Sequence, residues 1–116
     1  MDTKTNYQKI VCELFKEYEL YLSRANGIHN QTIEPETIFD LQNNHFQLLL
    51  KGWKGYQQIF RIAFHIDIIE NKVWIQQNNT EFRIADELIE KGIPKTDIVL
   101  GFISPKERAY TDFAVA

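Results

Sequence analysis

His65-Ile66-Asp67 sets an imidazole and a carboxylate two residues apart, and on a β-strand that spacing puts both side chains on one face. A carboxylate so placed raises the imidazole pKa and orients the ring, which suits proton transfer or metal ligation. His45 belongs to the preceding alternating stretch and falls opposite His65 if the two stretches pair by their apolar faces. His45, His65 and Asp67 together have the ligand types of a divalent transition-metal site. An ordinary hydrogen-bonded polar cluster, covered by a helix or a partner, needs the same residues and asks less of them. The plainer reading is adopted, and no catalytic residue, metal ligand or cofactor is assigned.

Glu70-Asn71-Lys72 has the E-x-K form of restriction-type nucleases, in which a strand presents the Glu to a metal and the Lys to the attacked phosphate. Here it falls on a turn, and neither Asp67 nor Asp40 has an obvious path to complete it. No phosphate-binding glycine loop, nucleophile elbow, H-E-x-x-H or paired C-x-x-C occurs. Cys12, the single cysteine, cannot form an internal disulfide and reads as a small apolar helix residue. Trp53, Tyr56 and Trp74, with Arg61 nearby, have the composition of interface anchors, although aromatics on sheet faces more often belong to a core.

The elements that position these groups follow from periodicity. From Thr5 the apolar residues Tyr7, Ile10, Val11, Leu14, Phe15, Tyr18, Tyr21 and Leu22 form one helical stripe, with Asp2, Thr3 or Thr5 as N-cap and Asn26-Gly27 as exit. An extended segment runs through Pro35, and Thr37 to Leu41 reads as a strand that Pro35 either confines to a sheet edge or makes start late. His45 to Leu50 and Ile59 to Ile69 alternate strictly. Opposing Phe46, Leu48 and Leu50 to Phe64, Ile62 and Phe60 calls for a three-residue loop, Lys54-Gly55-Tyr56. Glu70-Asn71 is a two-residue hairpin turn that sets Ile68 against Val73, Ile66 against Ile75 and Asp67 against Trp74, leaving Arg61, His65, Asp67, Trp74 and Gln76 on the second sheet face. Asn78 with Glu81 has the form of a capping box for a helix whose stripe is Ile84, Ala85, Leu88 and Ile89. Lys91-Gly92 and Pro94 end that helix, a turn or short helical piece follows to Ile98, and Val99 to Ile103 is extended.

The predicted fold is therefore one α+β domain over residues 1–116: a long N-terminal helix, an antiparallel sheet of about four strands, a second helix and an extended C-terminal segment. The chain has 116 residues, is 44% hydrophobic and 25% charged, and carries a net charge of −3, which is the composition of a globular domain and not of a disordered or fibrous chain. Bases and acids are spread over both halves, and Lys51, Lys54 and Arg61 make only a modest positive group, which argues against direct nucleic-acid binding. Apolar runs are broken every few residues, no secretion signal is read, and a cytosolic location fits both facts and the lone cysteine.

An ordered set of residues then carries a resemblance. His45-Phe46-Gln47-Leu48-Leu49 and Gly52-Trp53 are followed by His65-Ile66-Asp67-Ile68, Val73-Trp74-Ile75-Gln76-Gln77 and Thr80-Glu81. Gly92-Ile93-Pro94-Lys95, Asp97-Ile98-Val99-Leu100-Gly101-Phe102, Arg108, Tyr110-Thr111 and Phe113-Ala114-Val115-Ala116 complete it. The chain resembles the XisI family, the fdxN-element excision controlling factors of cyanobacteria, from the first helix to the last residue. Asn79 departs from the pattern at a position where Gly is expected in relatives.

The resemblance implies a non-enzymatic accessory role in site-specific excision, beside a XisH-type protein that is itself similar to restriction-type endonucleases, and it implies no catalytic residues. An acidic domain of this kind suits the basic channel of a nuclease-like partner. The candidate interface is the second sheet face, with Arg61, His65, Asp67 and Trp74, or the C-terminal segment around Arg108, Tyr110 and Phe113. A second copy of the chain would close that face equally well. A metal-dependent enzyme using His45, His65 and Asp67 is the alternative, and a direct DNA-binding controller comes after it.

Overall fold

The computed structural model describes residues 2–24 and 32–116. The expected helix exit at Asn26-Gly27 and the start of the extended segment lie outside the described residues. Helix α1 spans Thr3–Arg24, and the Asp2 carboxylate accepts from the Thr5 N–H at 2.8 Å, which makes Asp2 its N-cap. Five strands follow: β1 Glu34–Asp40, β2 His45–Lys54, β3 Gln57–Ile69, β4 Lys72–Asn78 and β5 Ile98–Leu100. Helix α2 spans Ile84–Glu90, a 3-10 turn Lys95–Asp97 leads into β5, and a short helix α3 covers Pro105–Arg108.

The strands form one sheet in the order β1-β2-β3-β4-β5. Its first four strands make the expected antiparallel meander, with Pro35 on the edge strand as predicted. The fifth strand corrects the expectation. It arises from the C-terminal extended segment and pairs parallel to β4, Val73 beside Ile98 and Ile75 beside Leu100. A parallel neighbour needs a long crossover, and the stretch carrying α2 and the 3-10 turn supplies it.

Helices α1 and α2 pack on one sheet face. Phe15, fully buried, sits 4.7 Å from Phe64 and 5.6 Å from Phe39 by ring centroids, at the centre of a core that takes Tyr7, Ile10, Val11 and Leu14 from α1 and Phe46, Leu48, Ile66 and Ile75 from the sheet. Ile84 and Leu88 bring α2 to the same core, and Cys12 lies half-buried beside it, its thiol pushed up by burial. Among the described residues no helix is long and apolar enough to cross a membrane.

One detail of the predicted local structure differs. Helix α2 begins at Ile84 without a side-chain cap; Asn78 instead accepts from the Thr80 N–H at 2.9 Å, and its amide donates to the Phe82 carbonyl at 2.9 Å, so it closes a turn at the strand end rather than a capping box. The C-terminal end behaves as read: Gly92, at φ +111°, donates to Ile89 O, and Ile93 donates to Leu88 O, the paired bonds of a Schellman ending.

The register of β2 on β3 also differs. The loop has two residues, Gly55-Tyr56, because Lys54 pairs with Gln57, and a β-bulge at the Leu48/Leu49 step leaves Ala63 as the extra residue of β3. His45 therefore faces Asp67, and Gln47 faces His65. Past the bulge every β3 side chain changes face: Ile62 and Phe60 stand opposite Leu49 and Lys51 on the second face, while Arg61 moves opposite Leu50, away from it. The Asn79 N–H donates to Ala63 O at 2.8 Å and its side-chain amide to Ile62 O at 3.0 Å, so backbone and side chain of this one residue satisfy two carbonyls at the bulge.

Candidate functional site on the open sheet face

The face of the sheet away from the helices carries the polar cluster. Asp40 and Ile38 reach it from β1, His45, Gln47 and Leu49 from β2, Phe60, Ile62, His65 and Asp67 from β3, and Trp74 from β4, since residues opposite one another on paired strands share a face. Leu49 and Val99 are buried but belong to no part of the helix-covered core, which marks them as the apolar floor of this second face.

Asp67 is the hub. Its Oδ1 lies 2.7 Å from His45 Nδ1 and 2.7 Å from His65 Nε2, and its Oδ2 accepts from the Gln76 side-chain amide at 3.2 Å. A carboxylate only accepts, so both imidazoles present N–H groups to it. His65 Nδ1 lies 3.1 Å from Gln47 Oε1. Gln76 is aimed by a second bulge: Ile66 pairs with Ile75 and His65 with Gln77, leaving Gln76 as the extra residue of β4. The first half of that hairpin follows the predicted register, through a Glu70-Asn71 turn with φ of +50° and +64°. Glu70 thereby lies in the turn and Lys72 opens β4 opposite Ile69, a turn hairpin and not a strand presenting both groups side by side.

Exposure grades across the cluster. The side chain of Asp67 is 13% accessible, that of His65 22% and that of His45 55%. Burial pushes the Asp67 carboxyl up, but hydrogen bonds from His45 and His65, the charge of His65 and the Gln76 amide outweigh it, and the net shift is down. His45 moves up, through its hydrogen bond to Asp67, the charge of that carboxylate and, more weakly, Asp40. One ligand atom from each of His45, His65 and Asp67 lies within 4.8 Å of the other two. The sequence brought these three together under a register that proved wrong by two residues, and they meet because a shift of two preserves the face.

The remaining predicted residues scatter. Trp74 is half-buried beneath the Arg108 guanidinium, whose Cζ sits 5.1 Å from the ring, a cation–π contact. Arg108 also donates from Nε to Ile103 O at 2.9 Å, so it ties the C-terminal segment to the sheet rather than projecting outward. Phe113 is half-buried against the core, and Tyr110 is fully exposed. Arg61 lies off the face, and Lys51 pairs with Glu36 at 2.9 Å, so the modest basic group does not assemble. What sequence reasoning missed was Gln47 and Gln76 as partners of the cluster, and Phe60 and Ile62 on its margin. Alternation already put Gln76 on this face and gives Gln47 the face of His45, but not their contacts; Phe60 and Ile62 were assigned the opposite face, which the Ala63 bulge reverses.

Comparison with known proteins bears on this arrangement. The family described as XisI protein matches residues 1–115. The chain belongs to the XisI family. Among solved structures, an XisI-like protein from Anabaena variabilis superposes on this XisI-family chain with a TM-score of 0.84 at 37% identity, covering 97% of this chain and 99% of that one. The fdxN element excision controlling factor XisI from Anabaena variabilis superposes with a TM-score of 0.79 at 34% identity, covering 99% and 100%. No curated protein matches the chain. The resemblance read from the ordered residue set is thus borne out over the whole XisI-family domain, helix, sheet and C-terminal segment alike.

Proposed function

We propose that this chain is a non-enzymatic controlling factor in the excision of a DNA element, acting by contact with a XisH-type, endonuclease-like partner. The observation that carries the role is end-to-end similarity to a protein described as the fdxN element excision controlling factor. Support for action through a partner comes from the second sheet face. Phe60 (67% exposed) and Trp53 stand open toward one end of it, beside the Lys51–Glu36 ion pair, and Ile38 is exposed on its edge strand, large apolar groups among charges of the kind that mark protein contacts. A net charge of −3, with no basic group assembled from Lys51, Lys54 and Arg61 among the described residues, suits a basic partner surface better than a phosphate backbone.

Co-expression with the XisH-type protein, followed by size-exclusion chromatography with light scattering of each protein alone and together, tests this. A joint peak is expected, and Phe60→Ser should weaken it at least tenfold in a titration. Two separate peaks at low and moderate salt would overturn the partner reading. A peak of this chain alone at twice its mass would assign the face to a second copy instead.

A further inference from the structure

We propose that the open sheet face binds one divalent transition-metal ion through His45, His65 and Asp67. The inference does not rest on the partner reading, because it concerns this chain alone. Two imidazole nitrogens and a carboxylate are the donor set of three-ligand sites that leave further coordination positions open. Metal–ligand bonds of about 2.0–2.2 Å place ligand atoms of a tetrahedral site roughly 3.3 Å apart. Both imidazoles here approach Asp67 Oδ1 to 2.7 Å, and all three donors fall within 4.8 Å of one another. Side-chain torsion alone spans the difference, since the backbone already holds the three on adjacent positions of β2 and β3.

The surrounding hydrogen bonds distinguish this cluster from a chance grouping. A ligating imidazole uses its second nitrogen to donate to a fixed acceptor, and a ligating carboxylate is itself held by a donor. His65 meets that condition: with Nε2 on the ion, Nδ1–H faces Gln47 Oε1 at 3.1 Å. So does Asp67, whose Oδ2 accepts from Gln76 at 3.2 Å while Oδ1 is the atom shared by the two rings. The side chain of His45 is 55% accessible, and metal at its Nδ1 needs only the other tautomer of that ring. Asp40, opposite His45, adds no fourth ligand as it stands, because Oδ1 accepts from the Gln42 and Asn43 N–H groups and Oδ2 from the Asn43 amide. The remaining positions of such an ion would be left to water or to a donor from a bound molecule. Nitrogen donors favour zinc, cobalt, nickel or ferrous ions over magnesium or calcium.

The test is calorimetric titration of zinc and cobalt chloride into tag-free full chain previously dialysed against a chelator. One ion per chain is expected, undisturbed by excess magnesium, with a cobalt absorption spectrum that reports nitrogen ligation. His65→Ala and Asp67→Asn should abolish the heat, as should His45→Ala, whose exposed side chain can be removed without touching the core. Gln47→Ala and Gln76→Ala should weaken binding about 10–100-fold while keeping the one-to-one ratio. Absence of saturable binding would overturn the proposal. So would undiminished binding by folded His45→Ala, which would put the ion elsewhere. Either result leaves the partner experiment, which uses no added metal, untouched.

Discussion

Two imidazoles donating to one oxygen of Asp67 make the charge state of that atom control the cluster. His45 has its folded-state pKa raised, so its contribution to stability is fully present below the ordinary histidine value and disappears as pH rises through the raised one. Asp67 has its pKa lowered, so its contribution is present above the ordinary carboxylate value and disappears as pH falls through the lowered one. The pair is worth most between those limits. His45→Ala is expected to lower the urea midpoint more at about pH 5.5 than at about pH 8.5. Ring titration by NMR should place His45 above the usual histidine range and return it there in Asp67→Asn. An equal cost of His45→Ala at both pH values would mean that the ring and the carboxylate are not coupled in solution.

Elements reach this arrangement through irregularities as much as through regular pairing. The Ala63 bulge reverses the faces of Ile62, Arg61 and Phe60, and the Gln76 bulge turns an amide toward Asp67. Both bulges lie inside stretches whose alternation in sequence looks unbroken, and a bulge adds one residue without changing residue types. Gly52 shows the same kind of constraint on β2. A Cβ there would meet Thr32 O at 1.8 Å, and the backbone sits at φ +150°, where side chains are strained. The Thr32 N–H donates to Trp53 O at 3.0 Å, so the chain entering β1 is clamped against this point. Gly52→Ala is expected to cost about 1–3 kcal/mol in a urea unfolding curve. A change within error would show that this clamp yields freely.

At the scale of the molecule, a single layer of helices covers the apolar face of the sheet and leaves open a face that mixes polar and apolar groups, and the two faces should answer mutation differently. Phe15 is fully buried among Phe39, Phe46 and Phe64, and Phe15→Ala is expected to cost about 3–5 kcal/mol. Phe60 is 67% exposed, and Phe60→Ser should fall within about 0.5 kcal/mol of the parent chain, measured by the same denaturation. Stability and partner binding then separate: the first mutation unfolds, the second affects only what docks. A large loss of stability in Phe60→Ser would mean that the second face is closed by the chain itself.

The helix stripe from Tyr7 to Leu22, the edge strand marked by Pro35, the Glu70-Asn71 turn and the Gly92 helix ending were all legible in the sequence, because each follows from local backbone preference or a period of apolar residues. So was the meeting of His45, His65 and Asp67 on one face, since that depends only on the parity of the pairing. The parallel addition of Ile98–Leu100 beside β4, the departure of Arg61 from the face, the support of the cluster by Gln47 and Gln76, and the use of Arg108 as a cover over Trp74 were decided by tertiary structure. Each depends on which segment distant in sequence arrives beside another and on where one extra residue is absorbed, and neither is encoded in local periodicity.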